Sequence, residues 1–193
     1  MNKLTVLLGI VVLFAMVAVA QTDKTASLPK GEISFNYVNT RADFAPSEAP
    51  AFHLQGMSMD GVINLYHGLG LAGELAGEHA GQISSAGESL SLFSYMAGPR
   101  YSHPVGDRFT PYVQGLFGRV HGFDSMFPEA GGTAPSANAF AMALGGGLEV
   151  RLPHHLSLKA LQADYFKTDL PNDYANHQNN FRLTTGIVFR FGK

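Results

Sequence analysis

The feature that most constrains this chain is a period-two alternation of bulky apolar residues with small or charged ones. In residues 140–152, FAMALGGGLEVRL, one parity reads Phe140, Met142, Leu144, Gly146, Leu148, Val150 and Leu152. The other reads Ala141, Ala143, Gly145, Gly147, Glu149 and Arg151. Successive strand side chains point to opposite faces, so this pattern predicts a strand with one bulky apolar face and one small, partly charged face. A helix would scatter Glu149 and Arg151 among the leucines.

Seven other segments carry the same signal. Ile33, Phe35 and Tyr37 alternate with Glu32, Ser34 and Asn36, and Met57, Met59, Ile63 and Leu65 with Ser58, Asp60 and Asn64. Leu69, Leu71 and Leu75 alternate with Gly70, Ala72, Glu74 and Ala76. Phe93, Tyr95, Ala97 and Tyr101 alternate with Ser94, Met96, Gly98 and Arg100. At the end, Phe181, Leu183, Ile187, Phe189 and Phe191 oppose Arg182, Thr184, Gly186 and Arg190. Two segments are less regular. In 109–120, Arg119 shares a face with Val113 and Phe117, and in 156–166 the parity changes near Ala160, as a bulge or a strand end would produce.

Eight strands is an even number, as single-chain bacterial membrane barrels require. Each is about as long as a tilted strand crossing a bilayer needs to be. The connections alternate. Long ones are expected at 40–51, 79–89, 121–137 and 168–179, and shorter ones at 66–68, 102–108 and 153–155. Short periplasmic turns alternating with long external loops are the mark of an up-and-down membrane barrel. The expected fold is therefore all-β: an eight-stranded antiparallel up-and-down transmembrane β-barrel.

Which face meets which solvent follows from composition. Only 15% of the residues are charged, against a usual share of about 25%, so a freely solvated surface does not account for the chain. A soluble barrel would turn the polar face outward, with many long charged side chains. Here that face is mostly Gly, Ala, Ser and Thr, which suits a narrow lumen. Its isolated charges have both signs: Glu32, Glu74, Glu78 and Glu149 against Arg100, Arg151, Arg182 and Arg190. Pairing across the lumen is expected, because an unpaired buried charge costs several kcal/mol. Tyr37, Tyr66, Tyr95, Tyr101, Tyr112 and Tyr165 are candidates for interfacial girdles.

Residues 1–20 read as a signal peptide: Lys3, an apolar stretch over 4–17, and the small-x-small site Ala18-Val19-Ala20 before Gln21. A short segment, 21–30, would then lead into a barrel over 31–193. No second long apolar run follows, so membrane entry must be by strands. The chain has no cysteine, which leaves none for a disulfide, a thiolate metal site, a nucleophile or a lipid anchor. A formal net charge of −2 gives no basic footprint for nucleic acid.

The strings YMAGPRYSHP, RFTPYVQGLFGRVHG, ALGGGLEVRL and LQADYFKT, closing on FRLTTGIVFRFGK, resemble the outer-membrane β-barrel domain family. That family is similar to the membrane domain of the outer-membrane A-type proteins. The resemblance spans about residues 30–193. It implies a location in the bacterial outer membrane, contact with outer-membrane lipids, and insertion by the barrel-assembly machinery, which reads a final strand ending in an aromatic. Phe189 and Phe191 match that signal, although Gly192 and Lys193 follow it. Larger relatives carry a periplasmic peptidoglycan-binding domain, which this chain is expected to lack.

No catalytic motif, metal site or cofactor is expected. Of eight histidines, His53, His67, His79, His103, His121 and His177 are scattered over loops and strand ends, and His154-His155 falls in a turn. One pair has catalytic spacing. Some eight-stranded outer-membrane enzymes deacylate lipid A with a His-x-Ser pair, and His155-Leu156-Ser157 matches it, with Leu158 where that motif has Asn. The expectation favoured here is a non-enzymatic structural or surface-interaction barrel acting through its external loops, where Phe123, Met126 and Phe127 are apolar. The alternatives are a narrow diffusion channel and a lipid A-modifying enzyme.

Overall fold

The structure, a computed structural model, describes residues 27–43, 51–83, 88–129, 131–172 and 176–192. The signal-peptide reading of 1–20 lies outside them. The described residues form eight strands: β1 (Gly31–Asp43), β2 (Phe52–Tyr66), β3 (Leu69–Ala80), β4 (Leu90–Ser102), β5 (Phe109–Glu129), β6 (Gly132–Arg151), β7 (Leu156–Thr168) and β8 (Gln178–Phe191). Each pairs antiparallel with the next, and β8 pairs with β1, so the sheet closes as an eight-stranded barrel. Closure leaves no sheet edge, which a strand protein in lipid requires.

The period-two pattern dictates the faces. Phe35 and Tyr37 of β1, Met57, Met59 and Ile63 of β2, and Leu69, Leu71 and Leu75 of β3 lie exposed on the outside. So do Phe93 and Tyr95 of β4, Phe117 of β5, Phe140 and Leu144 of β6, and Phe181, Ile187 and Phe189 of β8. Glu32, Asp60, Glu74, Glu78, Arg100, Glu149, Lys159, Asp164 and Arg182 are buried inside. This is the reverse of a water-soluble protein. An apolar belt of this extent in water would be a site of association. Facing lipid it has its proper solvent.

The irregular segments have local causes. Along β7, Lys159 pairs with Glu149 of β6 and Leu161 with Leu148, while on β8 the register jumps between Lys159 and Gln162. Ala160 is the extra residue, a bulge that moves the outward set from even to odd numbers. In β5, Arg119 does point outward with Val113 and Phe117, between Tyr95 of β4 and Phe140 of β6.

Two expectations are corrected. Residues 121–137 are not an irregular loop, because β5 and β6 continue as a hairpin whose ladder runs to Glu129↔Gly132. The ladder to β4 starts at Ser91↔Phe123 and that to β7 at Ala141↔Thr168, so beyond these levels the backbone ladder of the hairpin joins its own two strands alone. At about 3.3 Å per residue, the four steps from Ser136 to Gly132 on β6 extend the ribbon roughly 13 Å beyond the last pairing with β4. Tyr112 does not belong to a girdle. It shares the inward parity of Gln114 and Leu116 and is buried in the lumen, whereas Tyr37, Tyr66, Tyr95, Tyr101 and Tyr165 are exposed outside. The ends are assigned by connection length. The turns at His67-Gly68 and 153–155 are periplasmic, and the β5–β6 hairpin is external.

Small inward residues let the strands coil tightly. At Gly98 of β4 an added Cβ would lie 2.0 Å from the Gly115 carbonyl oxygen, whereas at outward Gly61 it would meet nothing within 4 Å. Gly98→Val is expected to cost about 1–3 kcal/mol as an overpacked site. Gly61→Val is expected to be near neutral. The fraction of fast-migrating, unheated protein on a gel, against urea, measures both. Equal loss in the two variants would show that the close approach at Gly98 is not limiting.

Candidate functional site

Three layers of cross-lumen contacts stack from the periplasmic end upward. In the lowest, Arg100 of β4 reaches Glu149 of β6 at 2.5 Å and Glu32 of β1 at 3.7 Å. Its Nε donates to Ser102 Oγ at 3.1 Å, and its guanidinium carbon sits 3.5 Å from the centre of the Tyr112 ring. The Tyr112 hydroxyl donates to Gln162 Oε1 at 2.6 Å, and Gln162 donates to Asp164 Oδ2 at 2.7 Å.

In the middle, Lys159 of β7 pairs with Asp60 of β2. Asp60 also accepts from Ser58 at 3.1 Å, from Asn36 at 3.1 Å and from Ser34 at 3.2 Å. In the upper layer, Arg182 of β8 spans to β3. Its Nη1 lies 2.7 Å from Glu74 and its Nη2 2.6 Å from Glu78. Nε donates to Thr40 at 3.3 Å, and the Phe166 ring lies under the guanidinium at 3.8 Å. A planar, forked cation suits this role, because it meets two carboxylates and an aromatic face at once.

Six of the eight charges singled out in the sequence, Glu32, Glu74, Glu78, Arg100, Glu149 and Arg182, come together in these layers. Among the described residues, Arg151 and Arg190 make no ion pair across the lumen, unlike the expectation. They stand near the periplasmic end and donate to backbone carbonyls there. Arg151 donates to Ser27 O at 3.2 Å, and Arg190 to Leu152 O at 3.1 Å and Leu156 O at 2.8 Å. Beyond those eight, Asp60, Lys159, Asp164, Tyr112 and Gln162 join the layers. The bulge at Ala160 hides the parity of Lys159 and Asp164, and a tyrosine such as Tyr112 suits a girdle and a lumen equally by residue type.

His155 and Ser157 are separated. His155 is exposed in the β6–β7 turn with φ +63°, and Ser157 is buried in the lumen. Alternation aligns residues two apart only within a strand, and β7 begins at Leu156. Other histidines mark the external end of the outer wall. His53 hydrogen-bonds Asn39 at 3.1 Å, His79 Ser91 at 2.9 Å, and His121 Asn138 at 3.0 Å. Among the described residues no cluster of three or more His, Asp or Glu is placed to hold a metal. Phe189 and Phe191 are exposed on β8, with Phe189 edge-on to Phe35 at 6.3 Å.

A closed barrel with an apolar outer wall and ion pairs spanning its interior defines a small transmembrane β-barrel of the outer-membrane type. The chain belongs to the outer membrane protein beta-barrel domain family, whose model matches residues 6–191. No curated protein matches it in sequence. Among solved structures it is similar to Ail, the attachment invasion locus protein of Yersinia pestis, at 21% identity, covering 84% of this chain and 100% of that one with a TM-score of 0.55. It is similar to the neisserial surface protein A at 12% identity, covering 86% and 100%, with a TM-score of 0.63. It is also similar to OprG of Pseudomonas aeruginosa at 12% identity, covering 88% and 99%, with a TM-score of 0.53. At these identities the likeness is one of fold.

Removing one partner of a buried pair leaves the others uncompensated. Arg182→Ala is expected to lower the unfolding free energy by about 3–5 kcal/mol. Replacing Glu74 and Glu78 by Gln in the same chain is expected to restore a substantial part. Urea unfolding in detergent micelles gives both numbers. A single variant within about 0.5 kcal/mol of the parent would mean that water compensates the stranded carboxylates.

Proposed function

We propose that this chain is a non-conducting, non-enzymatic outer-membrane barrel that acts at the cell surface through its external β5–β6 hairpin. The observation that carries the reading is the three-layer network across the lumen, together with an eight-stranded interior only wide enough for side chains. It disfavours the diffusion-channel alternative. The separation of His155 from Ser157 disfavours lipid A modification.

The hairpin offers exposed Phe123 and Met126 at the external end of the barrel. Display of binding groups on loops of a rigid scaffold is a common arrangement. Ail is described as an attachment protein and has been solved with a heparin analogue. This hairpin has an apolar and acidic surface with Asp124 and Glu129, so a protein surface is the expected partner here rather than a sulfated sugar. In the same reading, residues 1–20 are cleaved on export, Phe189 and Phe191 are read by the barrel-assembly machinery, and the outer wall contacts outer-membrane lipids.

Two experiments test this. In planar bilayers the refolded chain is expected to give no discrete current steps, and steady openings would restore the channel reading. Gram-negative host cells displaying the full chain are expected to adhere to protein-coated surfaces. Cells whose chain has residues 123–136 replaced by an Asn-Gly turn are expected to lose that adherence at equal display. Equal adherence would remove the hairpin from the function.

A further inference from the structure

Above the Arg182 layer the inward residues change character. Leu54, Leu90, Leu92, Phe127 and Leu170 are all buried at the external mouth. They bound a cavity of about 180 Å³. An apolar cavity of about 150 Å³ is enough to bind benzene.

The roof is built by the hairpin. Between Phe123 and Phe127 the β5 ladder is interrupted, and Asp124 adopts φ +61°. This bend brings the Phe127 ring back over the barrel mouth onto Gly122. A Cβ at Gly122 would lie 2.6 Å from the tip of that ring and 3.3 Å from Leu170, so a larger residue there would push the ring aside.

Among the described residues of the wall, one buried polar atom has no partner. Asn180 lines the cavity and is 5% exposed, and its Oδ1 is buried with no hydrogen-bond partner. Its neighbour Gln178 is satisfied, accepting from Thr168 at 2.8 Å and donating to Leu170 O at 2.9 Å. A buried acceptor without a donor is unfavourable, and a donor arriving with a ligand removes the penalty. Glu88 is the charged residue on the lining, so an anion is disfavoured.

We propose that the external mouth is a binding site for a small apolar molecule bearing one hydrogen-bond-donating group, a phenol-sized alcohol. Its body rests against Leu90, Leu92, Phe127 and Leu170, and its hydroxyl donates to Asn180 Oδ1. This site is independent of the hairpin's outer surface and goes beyond the surface-interaction reading.

The test uses p-cresol and toluene, matched in shape and differing by the hydroxyl, with the full barrel refolded in micelles and its methyl groups followed by NMR. Saturable shifts are expected at Leu90, Leu92 and Leu170. Lipid-facing Leu71 and Leu75 report simple partition into the detergent. One net hydrogen bond predicts about fivefold tighter binding of p-cresol than of toluene. Asn180→Leu is expected to bring the two within twofold. If that variant fails to refold, the comparison of the two probes on the unaltered chain decides. Shifts that do not saturate or that track Leu71 and Leu75, equal affinity for the two probes, or a preference that survives Asn180→Leu would each overturn the proposal.

Discussion

A peptide group in the hydrocarbon of a bilayer finds no water to bond, and that one constraint organises this molecule. Every backbone donor and acceptor at membrane depth must find a partner within the chain. The pairing of β8 with β1 over Gly31↔Phe191 to Asp43↔Asn179 meets that demand by closing the sheet. Once the sheet is closed, the sequence parity has a single meaning. Residues of one set enter lipid, and those of the other face the lumen.

The polar interior follows from that geometry. An eight-stranded ring has to be filled, and the outward parity has already taken the bulky apolar residues. The inward parity uses small residues where strands approach closely, as at Gly98, and long charged ones where the lumen must be crossed. The charges bring a desolvation cost, which pairing, added hydrogen bonds and stacking on Tyr112 and Phe166 offset. Toward the external mouth the filling turns apolar, and the ion pairs stop below it.

Much of this was legible in the chain, and the remainder failed for identifiable reasons. The alternation at 140–152 and 181–191 fixes faces because a one-residue slip would put Glu149 or Arg182 into lipid. The same logic finds Glu74, Glu78 and Arg100. It loses Lys159 and Asp164, because the bulge at Ala160 breaks the count between them. It overreaches at Arg151 and Arg190, since parity says nothing of depth and these stand where carbonyls near the turns are closer than acids. The hairpin at 121–137 is hidden in the sequence because strands in a ribbon outside the closed sheet need no alternation of burial.

The cross-lumen pairs also bear on the order in which the barrel gains stability. Asp60, Glu74 and Glu78 lie on β2 and β3, while Lys159 and Arg182 lie on β7 and β8. The partners are far apart along the chain and meet only when the ring is nearly shut. Contacts that form this late contribute little to the folding barrier and much to the unfolding barrier. The ion pairs therefore act as a latch on residence time: they slow the opened barrel from reappearing, and they leave the rate of its first closure to the local hairpins.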